Sequence, residues 1–142
     1  MSRFRNSWRK KIHTVLQPEG WAKPVGYANG ISARGRTVFV GGQVGWNAQS
    51  QFDRDDFVGQ VRQTLLNVVA ILREAKARPE HITTMTWYFV DKREYLANLK
   101  AIGEVYREII GRTFPAMAAV QVAALVEDRA KVEIQAIAVV PD

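Results

Sequence analysis

Few side chains in this sequence could do chemistry, and Glu133 is foremost among them. It stands in "KVEIQAIAVV", residues 131–140. Alternation there puts Glu133, Gln135 and Ile137 on one face of a strand and Val132, Ile134 and Ala136 on the other. A carboxylate in so apolar a strand has two readings. In a polar pocket it would suit proton transfer or the holding of a water. On an edge strand it would be a charge that deters aggregation. Periodicity alone leaves both open. Tyr27 begins a strand and offers a hydroxyl, although most tyrosines at such positions only pack. Trp46, Trp87 and Tyr88 lie on or beside strands, where core or subunit interface is the ordinary reading and a ligand wall the alternative. Met117, in "FPAM", reads by pattern as a core residue.

Several chemistries are absent. There is no cysteine, which excludes disulfides, thiol nucleophiles and thiolate metal sites. The two histidines, His13 and His81, are far apart and lack metal-ligand spacing, so a zinc site is not expected. No Ser-His-Asp, Cys-His, Walker or dinucleotide motif occurs. "GGQVGW" (41–46) superficially resembles a phosphate loop, but no helix follows it. A glycine pair inside a strand points instead to a bulge or to close approach by another group.

The elements that would carry these residues follow from pattern. Residues 1–26 hold Pro18, Gly20, Pro24 and Gly26 without sustained period and are read as an arm, leaving 27–142 as a single domain. "GYANGIS" and "RTVFVGGQVGW" read as strands joined in a hairpin at Arg34-Gly35. Asp55 and Asp56 open a helix whose Phe57, Val61, Leu65, Val68 and Leu72 form one apolar face. "HITTMTWYFVD" is a third strand. A second helix carries Tyr95, Leu99, Ile102, Tyr106 and Ile109, and Gly111 terminates it. Strands at 116–125 and 131–140 follow, with "VEDRA" short enough for a hairpin. The order β-β-α-β-α-β-β predicts an α+β domain: a mixed sheet, two helices on one face, and an opposite face that needs another copy to cover it.

Hydrophobic content of 47% and charged content of 24% suit a globular chain of 142 residues. The net charge of +6 is concentrated in Arg3, Arg5, Arg9, Lys10 and Lys11; removing those five leaves +1. A nearly neutral body argues against a nucleic-acid face, which needs clustered cations. The basic head reads as a solvated tail or packing arm. No apolar run approaches the ~18 residues of a membrane span. A soluble, cytoplasmic protein without a membrane partner is expected.

Taken together, "GYANGI", "VFVGGQVGW", "QTLLNVVAILREA", "FPAM" and "VEIQAIAVV" resemble the Rid family of reactive imine/enamine deaminases, also called the YjgF family or endoribonuclease L-PSP. The resemblance runs from about Tyr27 to Val140, and "QPEGWAKPVGYANG" is similar to a subgroup rather than to the archetype. It implies a chorismate-mutase-like α+β subunit and a homotrimer around a central barrel, with small-molecule clefts between subunits and no cofactor. It implies Glu133 and Tyr27 as catalytic residues and Gly41, Gln43, Trp46, Met117 and Ala119 as substrate-binding ones. Glu133 would position the water that attacks an imine carbon. Met117 falls where the archetype has the arginine that clamps the substrate carboxylate, and Gly103 falls where the family usually has an asparagine. Arginine offers a charged fork and methionine a neutral, polarizable chain. Losing such a pair costs about 2–5 kcal/mol of binding. The expected function is therefore hydrolysis or deamination of a reactive enamine, imine or related metabolite other than the archetypal 2-imino acids. A non-catalytic metabolite-binding trimer is the alternative, and an endoribonuclease ranks below both.

Overall fold

A computed structural model describes residues 12–142, so the basic cluster at Arg3 to Lys11 lies outside the described residues. The elements, in chain order, are β1 (Thr14–Leu16), β2 (Gly30–Ser32), β3 (Arg36–Val44), α1 (Phe57–Glu74), β4 (Ile82–Phe89), α2 (Lys92–Ala97), α3 (Leu99–Ile109), β5 (Ala116–Gln121) and β6 (Val132–Val140). The main sheet is ordered β3-β6-β4-β5. β6 runs antiparallel to both its neighbours, and β4 and β5 are parallel. The class is α+β with a mixed sheet, as the pattern predicts.

Helix α1 starts where its sequence demands. The Asp56 side chain accepts from the Gly59 amide at 2.8 Å, and this bond holds its carboxyl below the usual carboxylate range. Phe57, Val61, Leu65, Val68 and Leu72 are all buried against the sheet, with Met85, Trp87, Ile134 and Ala136 beneath them. α3 packs beside α1 through Ile102, Val105 and Tyr106. The other sheet face is uncovered in the chain, and Phe39 on it is 73% exposed.

Four local expectations need correction. The arm contains a strand: Thr14–Leu16 pairs with Gly30–Ser32 in a separate ribbon, tied down where His13 Nε2 bonds the His81 carbonyl at 2.9 Å. β2 therefore does not form a hairpin with β3. Gly35 (φ 145°) instead permits close approach to the end of β6, since a Cβ there would lie 2.0 Å from the Val140 oxygen. The "VEDRA" connection is not a hairpin either. The crossover from β4 lays β5 parallel on one side of it, and the chain then crosses the end of β4 to place β6 on the other. Val122 N donates to Phe89 O (2.9 Å) and Val90 N to Lys131 O (3.4 Å) along that path. Finally, the second helix is two, broken at Asn98. The Asn98 side chain donates to the Glu94 carbonyl at 2.7 Å, competing with the backbone ladder. Leu99 is left exposed rather than on the apolar stripe.

Candidate functional site

The glycine pair is a bulge, and the bulge receives Glu133. Val40 pairs with Ala136 and Gln43 with Ile134, three steps on β3 against two on β6. The extra residue lies at Gly41-Gly42. A Cβ on Gly42 would stand 2.5 Å from Glu133 Oε2 and 2.9 Å from its Cδ, so the carboxylate lies directly against the backbone of residue 42. A Cβ on Gly41 would meet nothing within 4 Å. Glu133 is half-buried on the uncovered sheet face. Among the described residues its carboxylate accepts no hydrogen bond. Of the two readings that periodicity leaves open, its place inside the sheet between β3 and β4 speaks against an edge-strand charge.

The surroundings of this half are fixed by polar side chains. Gln43 Nε2 donates to Gly41 O at 3.1 Å. Asn67 Nδ2 donates to the carbonyls of Val44 (3.0 Å) and Trp46 (2.8 Å), holding the chain as it leaves β3. Trp46 packs on Phe52 with centroids 5.9 Å apart, and the Arg129 guanidinium lies 5.5 Å from the Phe52 centroid. Fully buried Gln60 donates to the carbonyls of Arg54 and Arg129 and accepts from Lys131 N, locking both loops that flank the start of β6. On the far side of Glu133, its register partner Tyr88 donates from its hydroxyl to Gln135 Oε1 at 3.0 Å.

Tyr27, Met117 and Ala119 lie elsewhere. Ala28 N donates to Pro115 O at 2.9 Å and Ala28 bridges to Ala116, which sets Tyr27, 43% exposed, beside the start of β5. Tyr106 shapes the turn into β5: its ring stacks on Phe114 at 5.5 Å and its hydroxyl donates to Thr113 O at 3.1 Å. Burial pushes that phenol's pKa far upward, so it remains a donor. Met117 pairs with buried Met85 and packs against the core, and Ala119 pairs with buried Trp87. Both thus occupy the helix-facing register.

Within one chain the two groups do not meet. Glu133 pairs with Tyr88, and Tyr88 with Val120. Met117 is therefore two strands away, about 10 Å, and three residues along, about another 10 Å, on the opposite face. Two clefts of about 420 and 280 Å³, lined by loop residues such as Phe52, Asp53 and Arg129 and by Arg62 on α1, include none of Glu133, Tyr27 or Met117. Gly41, Gln43, Trp46 and Glu133 thus lie toward the β3 edge of the sheet. Tyr27, Met117 and Ala119 lie at the β5 edge. Trp87 is core, packed edge-on to Tyr95. Reading residues singly missed the need for glycine at 42, though the Gly-Gly pair signalled it. It also missed the Tyr88–Gln135 bond. Among the described residues no group of three or more His, Asp or Glu is placed to hold a metal.

Comparison with known proteins agrees with this architecture. The family model described as endoribonuclease L-PSP matches residues 21–140. The chain belongs to that family, the Rid/YjgF proteins. A RutC family protein of Pyrococcus horikoshii is 33% identical over 126 residues, covering 87% of this chain and 95% of that one. The 2-iminobutanoate/2-iminopropanoate deaminase of Escherichia coli K12 is 34% identical over 113 residues, covering 80% and 86%. Among solved structures, the Rid family protein YyfB of Yersinia pestis, itself of unknown function, superposes with a TM-score of 0.81 at 30% identity, covering 91% of this chain and 99% of that one. The fold is thus the chorismate-mutase-like fold of the Rid family. Among the described residues no helix is long and apolar enough to cross a membrane.

Proposed function

We propose that this protein is a Rid-type hydrolase that deaminates a reactive enamine or imine lacking the carboxylate of the 2-imino acids, in clefts formed between copies of the chain. The observation that carries this reading is the Glu133 carboxylate seated on the Gly42 backbone, an acceptor placed to orient a water. The split of the candidate site supports the assembly. Its halves sit toward the two edges of one sheet, β3 and β5, and the face between them carries exposed Phe39 and Val120. Unpaired edges and an apolar face call for partners. A ring of copies joining β3 of one to β5 of the next closes both edges and sets the Glu133 half of one chain beside the Tyr27 and Met117 half of the next. The family resemblance supports a homotrimer around a barrel as the form of that ring.

In this site Glu133 takes a proton from water as the oxygen adds to the imine carbon and passes it to the nitrogen; it then carries the carbinolamine hydroxyl proton to that nitrogen as the C–N bond breaks, leaving a carbonyl and ammonia. Tyr27 supplies a hydroxyl at the mouth; Gly41, Gln43, Trp46, Met117 and Ala119 line the walls. Met117 gives the substrate a neutral, apolar contact where relatives bearing arginine would pair a carboxylate. The test is ammonia release from a panel of imines and enamines by wild type and Glu133→Ala. Turnover lost in the variant supports the reading. No turnover on any substrate, with a binder found by a thermal-shift screen, would turn the assignment to a non-catalytic metabolite carrier.

A further inference from the structure

We infer that Gln135, oriented by Tyr88, is a specificity residue that reads a neutral carbonyl on the ligand; this rests on the site proposed above. The uncovered sheet face is apolar at Phe39, Ile137, Ala118 and Val120, yet Glu133, Gln135 and Tyr88 make one polar patch on it. Gln135 stands opposite the Gly41-Gly42 bulge, pairs with Thr86 on β4, and is exposed. The Tyr88 hydroxyl donates to Gln135 Oε1 at 3.0 Å. That bond occupies Oε1 and leaves Nε2 as the amide's uncommitted group on an exposed side chain. Among the described residues Nε2 donates to nothing, and the Glu133 carboxylate accepts from nothing.

A free donor and a free acceptor therefore face the same side, two residues apart on β6, about 6.7 Å between α-carbons. Their complement is a ligand that presents an N–H or O–H to Glu133 and a carbonyl oxygen to Gln135. A β-amino-α,β-unsaturated amide or ketone has that pairing along one short conjugated chain. A carboxylate does not fit: it would approach the Glu133 charge with only one neutral donor to hold it. Met117 and Gln135 then exclude the 2-imino acids by complementary means, one by withholding a cation and the other by selecting a neutral oxygen.

The probes are acetoacetamide and acetoacetate, equal in size and differing in charge, titrated by calorimetry into the full-length assembled protein. Hydrolysis of 3-aminocrotonamide is followed in parallel: water adds at the amino-bearing carbon, that C–N bond breaks, and acetoacetamide and ammonia form. Wild type should bind acetoacetamide at least about 10-fold more tightly than acetoacetate. Gln135→Leu should weaken acetoacetamide about 10-fold and Tyr88→Phe about 3-fold, the scale of a lost neutral hydrogen bond and of a loosened one. Gln135→Glu keeps the size and removes the donor, and it should weaken binding as well, which covers the case of a leucine variant that folds poorly. KM for the enamine should rise with little change in kcat. Equal binding of the two probes, no binding of acetoacetamide, or unchanged binding in Gln135→Glu overturns the inference. Gln135-dependent binding without Glu133-dependent ammonia release would uphold it and overturn the hydrolase reading instead.

Discussion

Replacing Gly42 with alanine tests the central geometry with one methyl group. The new Cβ would sit 2.5 Å from Glu133 Oε2, 2.9 Å from Cδ and 3.2 Å from Cγ. Ordinary contact begins at 3.4 Å, so the carboxylate must retreat by 3.4 − 2.5 = 0.9 Å. The cost to stability is small, because the obstructed group is the end of a flexible, half-exposed side chain. The cost to function is large: a displacement of about 1 Å at a reacting group lowers a rate on the order of 100-fold. Gly41→Ala is the comparison in the same bulge: its Cβ meets nothing within 4 Å in the chain and stays clear of Glu133, so as a wall change it should act on KM and leave kcat largely intact. Ammonia release and thermal unfolding should be measured on both. The expected pattern is a nearly unchanged melting temperature in each, with kcat falling about 100-fold in Gly42→Ala only. Full activity in Gly42→Ala, or equal losses in both, would refute the argument that residue 42 seats the catalytic carboxylate.

Three further outcomes follow from the same structure. Gln60→Leu strands the Lys131 amide and two carbonyls in a buried site and should lower unfolding free energy by about 3 kcal/mol in urea denaturation. His81 is kept neutral by burial and by Arg78, with His13 and Arg36 adding to this and Glu80 opposing it, and its Nδ1 accepts from Arg78 N. Its folded pKa lies below the ordinary 6.5, so stability should hold above that pH and decline as pH falls toward the folded value, and His81→Gln should flatten this part of the urea profile. Met117→Arg restores a carboxylate clamp at the β5 edge and should raise 2-iminobutyrate deamination by about 30-fold or more; no gain would mean that the walls have diverged beyond that position.

Much of this arrangement is legible in the sequence because it rests on period and local chemistry. The apolar stripe of α1, its aspartate cap, the shared face of Glu133 and Gln135, and the strand-breaking glycine pair all follow from residues close in the chain. What escapes is relational. Thr14–Leu16 is too short to show a period, and becomes a strand only because Gly30–Ser32 lies beside it. Neither hairpin could be excluded locally, since β6 takes its place between β3 and β4 through pairings far apart in sequence. The break at Asn98 depends on one side-chain bond to Glu94 that competes with the helix. Gly42 and Tyr88 gain their roles from cross-strand register with β6. Met117 illustrates both cases: core by pattern but only half-buried against the core, it stands out only against the family's arginine.

The claim that the site is shared between copies is tested most directly by complementation. Tyr27→Phe damages the β5 half, and Glu133→Gln the β3 half. Each variant alone should be nearly inactive toward the best substrate of the enamine panel. Mixed at equal ratio, unfolded and refolded together, they should regain about a quarter of wild-type ammonia release, the fraction of head-to-tail clefts that draw one intact half from each variant. Mixed assemblies with no recovered activity would contradict the account and place the chemistry within a single chain or outside this site.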